Sequence, residues 1–205
     1  MDGGGGRVAE RNTLSYADVT AGGQTVDLAA GTSTGAGGAD TIAGFSNVVG
    51  TPRADRLTGD GSANALVGGT GGDTIAGGGG DDTIEPGRGN DLVDGGPGID
   101  TLSYADLASG GQSVYLATGF STGSSGSDHF GGFENVTGSR ADDQLVGDRK
   151  PNVLVGGKGA DVLNGGAGSD TLLGSDGVSG NDSLDGGPDA DSCSADPGDA
   201  VVNCP

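Results

Sequence analysis

From Gly50 the chain repeats one pattern of polar and apolar positions. It can be cut without a gap into nine-residue units: GTPRADRLT, GDGSANALV, GGTGGDTIA, GGGGDDTIE, PGRGNDLVD and GGPGIDTLS, ending at Ser103. The frame returns at Gly138 as GSRADDQLV, GDRKPNVLV, GGKGADVLN and GGAGSDTLL. It runs on through a longer unit, Gly174 to Asp185, and closes with GGPDADSCS at Ser194. The sixth residue of a unit is Asp or Asn, and the eighth is usually Ile, Leu or Val. One aliphatic residue between two polar or small neighbours predicts a three-residue strand whose eighth side chain points inward while the seventh and ninth point outward. The first six residues, rich in Gly, predict a turn that needs positive φ and close backbone approach.

Two irregular segments interrupt the nonapeptides. They lack the Gly-Gly-x-Gly signature yet keep strand-like pieces: LSY, QTVDL and FSNVV in the first, LSY, QSVYL and FENVT in the second. A larger period sits above the small one. Leu14-Ser15-Tyr16-Ala17-Asp18 recurs 88 residues later as Leu102-Ser103-Tyr104-Ala105-Asp106. The same offset carries Val26 to Val114, Phe45 to Phe133, Asn64 to Asn152 and Asp73 to Asp161. The expected organisation is a repeat-like leader (1–12), two duplicated halves and a tail (195–205). The first half is 13–103, with irregular rungs 13–49 and nonapeptides 50–103. The second is 104–194, with irregular rungs 104–137 and nonapeptides 138–194. The irregular segments read as continued rungs with longer turns, the alternative being a looped-out insertion. Tyr16, Tyr104, Phe45 and Phe133 are expected to pack against sheet faces.

Composition narrows the chemistry. With 48 Gly, no Trp and a formal charge of −20, a thick core of large side chains is excluded. Such a balance taken alone suggests disorder. Against that, 26 of the 29 acidic residues are Asp, and only Glu10, Glu85 and Glu134 are Glu. A merely solvated acidic surface has no reason to reject Glu, whereas Asp is the acid of tight turns. Nine Lys and Arg argue against nucleic-acid binding, although a polyanionic mimic of nucleic acid is compatible with the charge. No apolar run is long enough to span a membrane as a helix.

The consensus GGxGxDxUx, matched throughout by GGTGGDTIA, GGGGDDTIE and GGPGIDTLS, resembles the repeats-in-toxin (RTX) hemolysin-type nonapeptide. The chain is thereby similar to the C-terminal β-rolls of serralysin-type secreted proteins. The resemblance implies an all-β fold, a right-handed parallel β-roll in which two nonapeptides make one turn. Loops would then stack every eighteen residues. One edge of the first block would carry Asp55, Asp73 and Asp91, the other Asn64, Asp82 and Asp100. In the second block the edges would carry Asp143, Asp161 and Asp182, and Asn152, Asp170 and Asp191.

By the same resemblance each Ca²⁺ sits between stacked loops, held by two such side chains and by backbone carbonyls that glycine exposes. Those glycines are Gly68, Gly69 and Gly71, Gly77, Gly78 and Gly80, Gly87 and Gly89, and Gly95. The second block supplies Gly156, Gly157 and Gly159, Gly165, Gly166 and Gly168, and Gly186. Calcium takes about six to eight oxygen ligands with flexible geometry, so roughly four to eight ions are expected. The Asn64 and Asn152 pairs supply less charge and should bind more weakly. Collagen is excluded because Gly does not recur every third residue. An EF-hand is excluded because no Asp-rich loop ends in a twelfth-position Glu between helices.

Cys193 takes the inward eighth position of the last nonapeptide, and Cys204 lies in the tail. A bridge between them would fold the tail over the open end of the stack and favours an oxidising compartment; unpaired thiols are the alternative. Exported RTX chains are usually cysteine-poor, and the tail departs from that habit. Met1-Asp2-Gly3-Gly4-Gly5-Gly6 starts inside repeat-like sequence, as a piece of a longer secreted protein would. The one histidine, His129, has no second His to make a zinc site, and no HExxH motif is present. The expectation is a secreted, extracellular calcium-dependent structural module that is not an enzyme, monomeric or part of a larger chain. A polysaccharide- or cell-surface-binding module is the alternative, as is the non-catalytic part of a secreted protease or lipase. The outward positions Thr74, Ala76, Thr83 and Glu85 offer no aromatic stripe for sugar stacking.

Overall fold

The structure, a computed structural model, describes residues 7–9 and 12–205. Among the described residues the architecture is all β apart from one 3₁₀ turn at Leu116–Thr118. The chain separates into two compact units: residues up to Leu102 together with Asp128–Gly132, and Ser103–Ser127 together with Phe133–Pro205.

In the first unit the nonapeptides alternate between two parallel sheets. One contains Thr13–Ser15, Asn47–Val49, Ala65–Thr70, Thr83–Arg88 and Thr101–Ser103. The other contains Gln24–Asp27, Arg56–Thr58, Thr74–Ala76, Leu92–Asp94 and Ser127–Gly131. Within the block each residue pairs with the one eighteen positions on, Leu57 with Ile75 and Leu66 with Ile84. The eighth-position side chains therefore form two inward ladders: Leu14, Val48, Leu66, Ile84 and Leu102, and Val26, Leu57, Ile75, Val93 and Phe130, all buried. Each fully buried aliphatic contributes about 1.5–3 kcal/mol of transfer free energy, so this thin core is built from many small equal terms.

The second unit repeats the plan. Asn135–Thr137, Val153–Val155, Thr171–Leu173 and Ser192–Ser194 make one parallel sheet. Gln112–Tyr115, Gln144–Val146, Val162–Asn164, Ser183–Asp185 and Ala200–Val202 make the other. The longer unit Gly174–Asp185 adds its extra residues to a loop, and the pairing resumes in phase, Leu163 against Leu184.

The irregular segments combine both expectations. Thr13–Ser15, Gln24–Asp27 and Asn47–Val49 are true rungs, paired in parallel. Between them the chain makes an antiparallel excursion, Gln24–Asp27 against Thr32–Gly35 and Thr32–Gly35 against Gly38–Thr41. The counterpart pairs Gln112–Tyr115 with Phe120–Gly123. The duplication extends to individual contacts. Tyr16 Oη donates to Ser33 Oγ (2.6 Å), and Tyr104 Oη and Ser121 Oγ share a hydrogen bond of 2.8 Å. Tyr16, Tyr104 and Phe133 are buried, and Phe45 is half-buried.

The leader expected at residues 1–12 lies largely outside the described residues. Its strand Arg7–Ala9 runs antiparallel to Thr13–Ser15.

Candidate calcium site

The sixth residue of each nonapeptide closes the turn just before its strand, and there its side chain is shut off from solvent. The described stacks are joined through these residues. Asp55 N–H donates to Asp73 Oδ1 (2.7 Å) and Asp73 N–H to Asp91 Oδ1 (2.7 Å). On the opposite edge Asn64 N–H donates to Asp82 Oδ1, and Asp82 N–H to Asp100 Oδ1, both at 2.8 Å. The second unit repeats the ladder through Asp143, Asp161 and Asp182, and through Asn152, Asp170 and Asp191, each step at 2.8 Å. The spacing in the sequence thus brings together the residues it grouped on each edge.

One carboxylate oxygen is spent on the ladder; the fate of the other divides the loops into two classes. Oδ2 of Asp73, Asp82, Asp91, Asp161, Asp170, Asp182 and Asp191 is buried without a hydrogen-bond partner. Asp55 and Asp143 differ. Oδ2 of Asp55 accepts from Thr51 N–H, and Oδ2 of Asp143 accepts from Ser139 N–H, both at 2.6 Å. Asn64 and Asn152 are satisfied too, accepting from Asp60 N–H and Asp148 N–H and donating to the carbonyls of Ser46 and Glu134. The ligand role expected of these four therefore lacks the unmet oxygen that marks the others.

The second residue of the nonapeptide makes the difference. Where it is Thr51, Asp60, Ser139 or Asp148, its N–H closes on the sixth side chain. Where it is Gly69, Gly78, Gly87, Gly157 or Gly166, φ lies near +100°, a conformation open to Gly at little cost. The fourth position, at Gly71, Gly80, Gly89, Gly159 and Gly168, is left-handed as well. The first-position glycine has ordinary φ and is needed for room instead. A Cβ on Gly68, Gly77, Gly156 or Gly165 would strike Oδ2 of Asp73, Asp82, Asp161 or Asp170. At Gly77 it would also strike the carbonyl of Gly95 in the next loop, and at Gly165 that of Gly186. Positive φ is thus confined to two positions of the turn, a refinement of the sequence expectation.

An isolated buried carboxylate is strongly disfavoured in its charged form. Burial pushes Asp73 and Asp82 up to about 6 and Asp161 up to about 7, against ladder hydrogen bonds that pull the other way. Burial raises Asp143, Asp170 and Asp182 too. Asp91 is raised by burial first and then by the carboxylate of Asp128. Such a site calls for a cation. Among the described residues no three His, Cys, Asp or Glu side chains are grouped to hold a metal, so a bound ion would take two carboxylates and complete its shell from main-chain carbonyls. All-oxygen donors at flexible coordination number suit Ca²⁺. The residues present fit it.

Four copies of the RTX calcium-binding nonapeptide repeat are matched, at residues 47–75, 67–102, 137–172 and 175–202, together more than half of the chain. The chain belongs to this family. Its RTX repeats form a calcium-binding structural module. No curated protein matches the chain.

Two ladder residues escaped the RTX frame. Asp128, from the irregular segment, caps the first ladder: Asp91 N–H donates to its Oδ1 at 3.1 Å. The signal was a sixth-like Asp followed by His129-Phe130, with Phe130 in the inward place. Asp199 does the same in the tail, only eight residues after Asp191. Its Oδ1 accepts from Gly180, Asn181 and Asp182 N–H, and its Oδ2 from Asp196 N–H (2.7 Å). Desolvation raises Asp199, but those four donors outweigh it and hold the carboxyl below its usual value. The tail is tied down further by the disulfide Cys193–Cys204, with Cα atoms 5.8 Å apart. The expected cap is therefore also a last rung, Ala200–Val202 pairing with Ser183–Asp185. Among the described residues no helix is long and apolar enough to cross a membrane.

Proposed function

We propose that this chain is a secreted, non-catalytic module that folds when it meets extracellular calcium. The observation that carries the reading is the ladder of buried Asp side chains, seven of which hold one unmet oxygen, in a chain of formal charge −20. Without the ion these charges oppose the fold. With it, binding free energy becomes folding free energy. Extracellular calcium modules bind with Kd about 10⁻⁴–10⁻³ M, a range that keeps such a chain open in the cytosol and closed outside. The disulfide supports an oxidising compartment. The absence of a catalytic role is part of the proposal: His129 lies outward on its strand, exposed, and the serines of the two G-x-S-x-G strings, Ser33 and Ser121, are buried and hydrogen-bonded to Tyr16 and Tyr104.

Circular dichroism during a calcium titration tests the reading. The expected result is a cooperative change from coil-like to β-rich signal between sub-millimolar and millimolar Ca²⁺. Mg²⁺ should substitute poorly, because it demands shorter, near-octahedral coordination. Equal β content in excess EDTA would overturn the mechanism.

A further inference from the structure

In the first unit the ladder Asp55, Asp73, Asp91 does not stop where the nonapeptides stop. Strand Ser127–Gly131 lies parallel to Leu92–Asp94, with Leu92 opposite His129 and Val93 opposite Phe130. That register brings Asp128 next to Asp91 in the relation that Asp91 bears to Asp73. Asp128 is 0% exposed and Asp91 3%. Oδ2 of Asp91 is buried without a partner, and Gly87 in its loop has the left-handed backbone (φ 91°) that marks the open class. The repeat matches end at residue 102 and resume at 137, so Asp128 lies outside them.

We propose that Asp91 and Asp128 together bind a further calcium ion, with Asp128 supplied by a strand that is not a nonapeptide. This rests on the calcium reading above and adds one ion to those held between repeats. Its effect is to fasten strand Ser127–Gly131 to the end of the first stack, because a bound ion holds that strand by a side chain as well as by the main chain.

The duplication supplies a matched control. Asp40 is the counterpart of Asp128 at the offset of 88 residues, and it lies on Gly38–Thr41, the end strand of its sheet among the described residues. It is only half-buried, and no further rung stacks outside it. Asp40 therefore has the same local sequence context without the second carboxylate.

Calcium bound to the chain of residues 1–205 is counted by native mass spectrometry and equilibrium dialysis, for the parent and for Asp128→Asn and Asp40→Asn. Asn occupies the sixth position of its unit at 64 and 152, and an amide Oδ1 still accepts from Asp91 N–H as the Asp128 carboxylate does, so Asp128→Asn preserves the shape. The expected result is one ion fewer in Asp128→Asn and no loss in Asp40→Asn. Hydrogen exchange at saturating Ca²⁺ is the second readout. Residues 128–132 should exchange at least tenfold faster in Asp128→Asn while 74–85 stay protected, which shows that the stack itself still folds. An unchanged ion count in Asp128→Asn overturns the proposal. An equal loss from Asp40→Asn overturns it too. A parent chain that binds no calcium is a different failure, that of the functional reading.

Discussion

Acid and calcium should rescue the same fold by neutralising the same oxygens. Asp73 and Asp82 are raised to about 6, and Asp161 to about 7, from 3.8. A carboxyl whose folded pKa is raised binds its proton more tightly in the folded chain. Its ionisation therefore destabilises the fold above the folded pKa, and the penalty shrinks as pH falls towards 3.8. At about pH 7 the penalty is roughly 3 kcal/mol for each of Asp73 and Asp82 and nearer 4 kcal/mol for Asp161. Together these approach the whole stability of an ordinary domain, about 5–15 kcal/mol. The metal-free chain should accordingly be unfolded or nearly so at neutral pH. Lowering the pH from about 7 to about 5 returns some 5 kcal/mol through these three groups alone. The assay is far-ultraviolet circular dichroism in EDTA at both pH values, with urea midpoints wherever a transition exists; pH 5 stays above the sequence pI of about 4.1. A gain of β signal on acidification is expected without calcium. With calcium present the sign reverses, because protons compete with the ion, and the midpoint should move to higher concentration. A metal-free chain whose β content is indifferent to pH between 7 and 5 would refute the reasoning.

Three further outcomes follow from the same geometry. Asp82→Ala should raise the calcium midpoint several-fold, whereas Asp60→Ala should shift it far less, because Asp60 Oδ1 serves contacts within its own loop, with Ser62 N–H (2.8 Å) and Asn64 Nδ2 (3.5 Å); equal shifts would show the repeat frame to be misassigned. Gly77→Ala should abolish or severely weaken the calcium transition, since its Cβ meets Asp82 Oδ2, while Gly61→Ala, with open space at its Cβ, should stay within about 0.5 kcal/mol of the parent in urea denaturation. Cys204→Ser should remove a stabilisation of about 2–3 kcal/mol in the chain-entropy sense and accelerate hydrogen exchange around Asp191, leaving residues 68–103 protected in saturating Ca²⁺.

The nonapeptide frame made the ladder legible, because one Asp and one aliphatic per nine residues fix both the stacking partner and the inward face. The antiparallel strands Thr32–Gly35 and Phe120–Gly123 were not legible. Their residues, TSTG and FSTG, carry no apolar alternation, and they are strands only because Gln24–Asp27 and Gln112–Tyr115 lie alongside them. Asp128 and Asp199 were missed for another reason. Each occupies a ladder position set by pairing across the sheet, not by the count of nine along the chain. The second-position contrast between Thr51 and Gly69 was readable, but its meaning required seeing where the N–H points.

A stack of near-identical rungs has a weakness of its own. Between Gly50 and Ser103 every rung offers an inward aliphatic, and all but the Asn64 rung a sixth-position carboxylate, like the rung eighteen residues away. A mispaired stack, slipped by one rung, would keep its interior contacts and lose only those at one end. That is a difference of a few aliphatic side chains at about 1.5–3 kcal/mol each. Contacts made once per unit break this translational degeneracy: Tyr16 with Ser33, and Gln24 N–H on Asp55 at 2.6 Å, repeated as Tyr104 with Ser121 and Gln112 N–H on Asp143. The least regular stretches of the chain thus act as its fiducial marks, allowing a periodic polymer to count its rungs from a fixed origin.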